Sequence, residues 1–172
     1  MCMQHSPKTA NRGVSLVEIT VSTLIVGAMA VAALNALGAA TRSSVDAGRR
    51  GIATTLAAEL MTEILSADYA EPDSGGVFGP ETDEAADGNR SLFDDVDDYH
   101  AWQASPPQDK PGAALPDRAD WRRQVAVDHV EPGNLTNVLS ASNDQGVKRI
   151  TIEVYHEETL LHRLRAYTTS AW

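Results

Sequence analysis

The chain has 172 residues, 42% of them hydrophobic and only 5% aromatic, and carries a formal net charge of −10. That length allows one compact domain with an accessory segment rather than two full domains, and so acidic a chain would repel phosphates, which argues against nucleic-acid binding. Its single cysteine, Cys2, excludes a disulfide within the chain and a cysteine-based metal site.

Residues 1–13 are polar and include Pro7, Lys8 and Arg12, so nothing there can bury itself. Residues 14–41 form an apolar run whose one charge is Glu18; from Ile19 to Thr41 there are 23 residues without any charge. At about 1.5 Å per residue, a helix of that length crosses a hydrocarbon core of about 30 Å. A secretory signal core is shorter, about 7–15 residues. From Val45 the pattern turns one-sided. Ile52, Leu56, Leu60 and Ile64 follow Val45 at helical spacing, and Ala53, Ala57, Met61 and Leu65 lie beside them. Arg42, Asp46, Arg49, Arg50, Glu59 and Glu63 take the polar side. This predicts an amphipathic continuation over 42–67, weakened at Gly48 and Gly51 and ending near Ala67, before Pro72 and the Ser74-Gly75-Gly76 break.

Residues 68–118 read as a long irregular region rich in Pro, Gly and Asp. Leu92, Phe93, Tyr99 and Trp102 are its candidates for docking on the helix. Residues 119–172 carry strand signals at Trp121–Val130, Val147–Tyr155 and Leu160–Thr168, the last two joined by a polar turn at Glu157-Glu158 that predicts an antiparallel hairpin. The expected fold class is therefore α+β, with one long helix, membrane-spanning in its first half, packed through its amphipathic half on a small antiparallel sheet.

The most informative stretch is Arg12-Gly13-Val14-Ser15-Leu16-Val17-Glu18. A basic residue and a glycine close a polar leader, an apolar helix begins at once, and one carboxylate follows four residues after Val14. The combination resembles the leader and helix start of type IV prepilins and type II secretion pseudopilins, over about the first 30 residues. The usual form in those proteins is Gly followed by Phe-Thr-Leu-x-Glu; here Val14 stands in place of Phe and Ser15 in place of Thr. The resemblance implies cleavage between Gly13 and Val14 by a prepilin peptidase, N-methylation of Val14, and a role in subunit assembly for Glu18. It also implies a pilin-like fold. Without the leader the chain keeps 12 basic residues against 24 acidic ones, a net charge of −12, and no thiol.

An unpaired carboxylate in a membrane helix costs a few kcal/mol (about 2.5–3.5 on insertion scales). The resemblance implies that in a filament the new ammonium on Val14 of one subunit meets Glu18 of a neighbour, removing two isolated charges and setting the axial register. Orientation is contested by charge, since Lys8 and Arg12 precede the span while Arg42, Arg49 and Arg50 follow it. The family's peptidase acts on the cytoplasmic side, which implies an inner-membrane protein with an extracytoplasmic C-terminal domain.

The run Asp94-Asp95-Val96-Asp97-Asp98 offers oxygen ligands of the kind calcium prefers. Its spacing is not that of an EF-hand, and a charge run of this kind reads first as a solvated acidic loop. These four aspartates are calcium candidates, and no other cofactor is expected. His156-Glu157 and His162 lack the spacing of a helical zinc motif. No Ser-His-Asp or phosphate-loop pattern is present, so the expected role is structural rather than enzymatic: a minor pilin or minor pseudopilin whose partners are the peptidase, the other subunits and the inner membrane. The alternative is an uncleaved single-pass protein with an extracytoplasmic binding domain.

Overall fold

In the computed structural model, residues 13–71, 78–82, 84 and 89–170 are described. Helix α1 runs Leu16–Ile64 without interruption through Gly48 and Gly51. No proline falls within it, which is why so long a helix can persist. The five strands that follow are β1 (Gln103–Ala104), β2 (Trp121–Glu131), β3 (Asn134–Val138), β4 (Val147–His156) and β5 (Thr159–Thr169). The chain divides into two units, one ending at Val45 and one beginning at Asp46.

The first unit is the apolar part of α1. Every residue from Gly13 to Val45 is exposed except Gly38, which is half-buried. Hydroxyls within this stretch turn back onto the helix. Thr20 donates to the carbonyl of Val17 at 2.9 Å, Thr23 to that of Ile19 at 2.8 Å and Thr41 to that of Leu37 at 3.0 Å. These polar groups thus find partners within the helix, as a lipid-facing segment requires. The span is long and apolar enough to cross a membrane.

The second unit is an α+β sandwich. Ala53, Leu56, Ala57, Leu60, Met61 and Ile64 of α1 are buried, at the helical spacing of the amphipathic stripe. They meet Val125 and Val127 of β2 and Ile150, Ile152 and Val154 of β4 in one core. Two sequence expectations shift. Val45 is half exposed, so burial begins only at Ile52, about two turns further on. The helix stops at Ile64 rather than near Ala67: Ser66 and Ala67 donate to the carbonyls of Glu63 and Ile64, closing the end with tighter turns, and the Ser66 hydroxyl also takes the Glu63 carbonyl at 2.6 Å.

The sheet is antiparallel throughout, in the order β1-β2-β4-β5, with β3 folding back on the end of β2. Register sets Val125, Ile152 and Leu164 side by side, and likewise Val127, Ile150 and Ala166. Alternation then puts the branched apolar residues of β2 and β4 on the helix side. The β4–β5 hairpin turns at Glu157-Glu158, with Glu157 at a positive φ of 54°. From the region between helix and sheet, Phe93, Val96, Tyr99 and Trp102 enter the core, whereas Leu92 is exposed and does not dock.

Candidate functional site

Two places gather the chemically capable residues, one in each unit. The first is the start of α1. Gly13, Val14 and Ser15 precede the helix, whose first hydrogen bond from Ile19 reaches the Ser15 carbonyl at 3.1 Å. The Gly13–Val14 peptide therefore lies outside the helical hydrogen-bond ladder and is exposed, the condition under which a peptide bond can be handled extended by another protein. Glu18 sits in the first turn of α1, where a carboxylate complements the positive end of the helix dipole. Val14, Leu16, Val17, Ile19 and Val21 around it are all at least 48% exposed. Of the expected leader, residues 1–13, all but Gly13 lie outside the described residues.

The second place is the acidic turn of the second unit, and here the reading as a solvated loop is corrected. Asp94 is exposed, but Asp95, Asp97 and Asp98 are buried. Each buried carboxylate is used. Asp98 Oδ2 accepts the amides of Asp94 and Asp95, both at 3.0 Å. Asp95 Oδ1 accepts those of Asp97 at 2.6 Å and Asp98 at 3.2 Å. Asp97 accepts the Gly79 amide at 3.2 Å through one oxygen and pairs with buried Lys148 of β4 through the other. Lys148 also donates to the Tyr69 carbonyl. The turn is thus folded around its own carboxylates and locked to the sheet. The signal missed in the sequence is Lys148, which stands on the core-facing side of a strand that is otherwise apolar there.

Among the described residues, one carboxylate trio could hold a cation: ligand atoms of Glu81, Glu84 and Asp98 lie within 4.8 Å of one another. Of the four calcium candidates, Asp94, Asp95, Asp97 and Asp98, only Asp98 belongs to that trio. Crowding has an electrostatic consequence. Burial pushes the Glu84 carboxyl up to about 8 against the opposing hydrogen bond from the Glu81 amide, with the Glu81 side chain and Asp98 adding to the rise. Burial and then the charges of Asp97 and Asp98 push Asp95 up to about 7.

A second buried network joins α1 to the loop above it. Arg90 is fully buried and grips Glu63 with two bonds, Nε to Oε1 at 2.8 Å and Nη2 to Oε2 at 3.0 Å. Its guanidinium lies 4.1 Å over the Trp102 ring, and the Tyr99 hydroxyl donates to Glu63 at 3.0 Å. Burial alone would raise the Glu63 carboxyl, but Arg90 and Tyr99 outweigh it and hold the group below its ordinary range. Arg123, on the core face of β2, donates to the Leu56 carbonyl at 3.2 Å and to that of Gln108. Burial first, then the Arg90 charge, lowers it to about 10. These contacts join elements far apart in sequence and position the loop; none of them leaves a nucleophile beside a base.

His100 and His129 both pack against the Phe78 ring, each with ring centroids 4.9 Å away. His156 packs edge-on against Trp121, with ring centroids 4.9 Å apart, and His162 stands opposite Val154. No family model, no curated protein and no solved structure matches this chain.

Proposed function

We propose that this chain is a structural subunit, a minor pilin or minor pseudopilin, of a type IV pilus or type II secretion filament. A prepilin peptidase cuts it between Gly13 and Val14 and methylates the new amine. The protein then sits in the inner membrane through α1, with the second unit outside the cytoplasm, until other subunits draw it into a filament. It needs no catalytic residue of its own and no cofactor.

The observation that carries this reading is Glu18. It is the one charge in the exposed apolar stretch of residues 14–41 and stands four residues after Val14, just inside the helix start. A solitary carboxylate there is costly in lipid, and a charge-paired neighbour in a filament removes the cost. The exposed apolar surface of residues 14–41 supports the same reading, since it can serve in turn against lipid and against other helices.

The test is the Glu18→Ala variant, expressed beside the native filament system and assayed in the sheared filament fraction. The proposal expects the variant to be cut and to remain in the membrane while its share of the filament fraction falls at least about tenfold, on the scale of a lost buried ion pair. Incorporation equal to that of the native chain would remove the assembly role of Glu18.

A further inference from the structure

Strand β5 ends the sheet. It is 11 residues long and pairs only with β4, so among the described residues its outer side meets no other strand. The other end of the sheet is different, because β2 is flanked there by β1 and, beyond it, by β3. Edge strands are commonly blunted by charged side chains, by proline, by bulges or by being short; the charges exposed on β5, Arg163 and Arg165, are of one sign and so repel basic segments only. Strand β5 contains no proline or glycine, and its one register irregularity lies at the turn end, leaving His162 to Thr169 in regular pairing.

The side chains of β5 describe a partner. Arg163, Arg165 and Tyr167 alternate on the outer face and are exposed. On the helix side, Leu164 and Ala166 pack on the core yet stay only partly buried, as does Leu161 near the turn. The core thus stops one strand short of full cover at this edge. Charge narrows the partner further. The strand carries Arg163, Arg165 and His162 and no acidic residue, in a chain whose net charge is −10. Arg163 is shared with Glu153 of β4 at 2.5 Å, whereas Arg165 faces Thr151 and forms no ion pair among the described residues.

We propose that β5 receives an extended segment of another protein, one that alternates acidic and apolar residues, added antiparallel or parallel as the next strand of the sheet. Main-chain hydrogen bonds along the edge supply binding, and alternate side chains supply selection. Acidic residues of the segment stand beside Arg163 and Arg165; its apolar residues extend the core beside Leu164 and Ala166. A second copy of this chain meets like charges in the three registers centred on Arg163, Leu164 and Arg165. Antiparallel self-pairing centred on Leu164 sets Arg163 against Arg165, and centring on either neighbour sets an arginine against itself, and like charges directly opposite are destabilising. This inference stands on the sheet alone and holds whether or not the chain enters a filament.

The experiment uses the full chain in a neutral detergent with two capped peptides, one alternating Glu and Val and one alternating Lys and Val. The proposal expects the acidic peptide to bind, to slow amide hydrogen exchange in residues 159–169, and to bind Arg165→Glu at least about tenfold more weakly. Thermal unfolding of Arg165→Glu without peptide should match the native chain, which separates lost recognition from lost fold. Equal binding of the lysine peptide, protection outside β5, or a dimer formed through β5 in the absence of peptide would each overturn it.

Discussion

Replacing Arg90 with alanine tests whether the buried polar network holds the loop onto α1. Arg90 is fully buried, makes two bonds to Glu63 and a third, of 3.3 Å, to the Gln108 carbonyl, and covers the Trp102 ring. Removing it leaves the Glu63 carboxylate, about one-fifth exposed, with the Tyr99 hydroxyl as its remaining close partner. Breaking a buried ion pair from one side costs about 3–5 kcal/mol, because the surviving charge keeps its desolvation cost without its partner. Against a typical domain stability of about 5–15 kcal/mol, that is a large fraction. It corresponds to a fall in melting temperature of roughly 12–20 °C for a domain of this size. Urea unfolding of the full chain in detergent, followed by tryptophan fluorescence, reads it directly, with Trp102 as a reporter beside the mutated site. The double variant Arg90→Met with Glu63→Met should recover most of the loss, since an apolar pair of similar volume leaves no isolated charge. A loss below about 1 kcal/mol for Arg90→Ala would mean that the pair behaves like a solvated surface bridge and does not hold the loop onto α1.

Stability should also depend on pH in two opposite senses. Glu84 and Asp95 are raised, to about 8 and about 7, so the folded state keeps protons that the unfolded chain has released; their contribution is full below the ordinary carboxylate range and is lost as pH rises through those values. Glu63, Asp144 and Glu153 are lowered, so their contribution is present above the ordinary range and is lost on acidification. Denaturant titrations across pH should therefore show a maximum near the ordinary carboxylate range, about pH 4–5, and Glu84→Gln should flatten the fall above it; a stability that rises steadily to alkaline pH would contradict the crowding of these carboxylates. In the core, Leu60→Ala removes a fully buried side chain between helix and sheet and should cost about 2–5 kcal/mol, whereas Leu92→Ala, on an exposed side chain, should stay within about 0.5 kcal/mol. Comparable losses at both sites would mean that Leu92 docks after all.

Much of the fold is legible because its signals are local. The apolar run, the stripe of Leu56, Leu60 and Ile64, and the alternation Ile150, Ile152, Val154 each declare their period within a few residues. The hairpin at Glu157-Glu158 follows from the two strands beside it. Strand β3 is not legible, because all five residues of Asn134–Val138 are exposed and no burial pattern marks them. Nor is two-residue β1. The acidic turn misleads for a different reason. A run of aspartates favours water unless a cation and amide groups are brought to it, and Lys148 lies 51 residues from Asp97. Arg90 and Glu63, 27 residues apart, meet in the same non-local way. At the other site, Gly13, Val14 and Glu18 stand out because the proposed cleavage point and the lone carboxylate lie within six residues of one another.

We propose that the chain is cut between Gly13 and Val14 and enters a filament from the membrane. Intact-mass and N-terminal peptide mass spectrometry of the full protein, extracted from membranes of cells with an active prepilin peptidase, tests it most directly. The expected product is a chain that begins at Val14 and carries one added methyl group on its amine. A chain that still begins at Met1 would contradict it and leave a single-pass membrane protein that never receives the amine its Glu18 is proposed to meet.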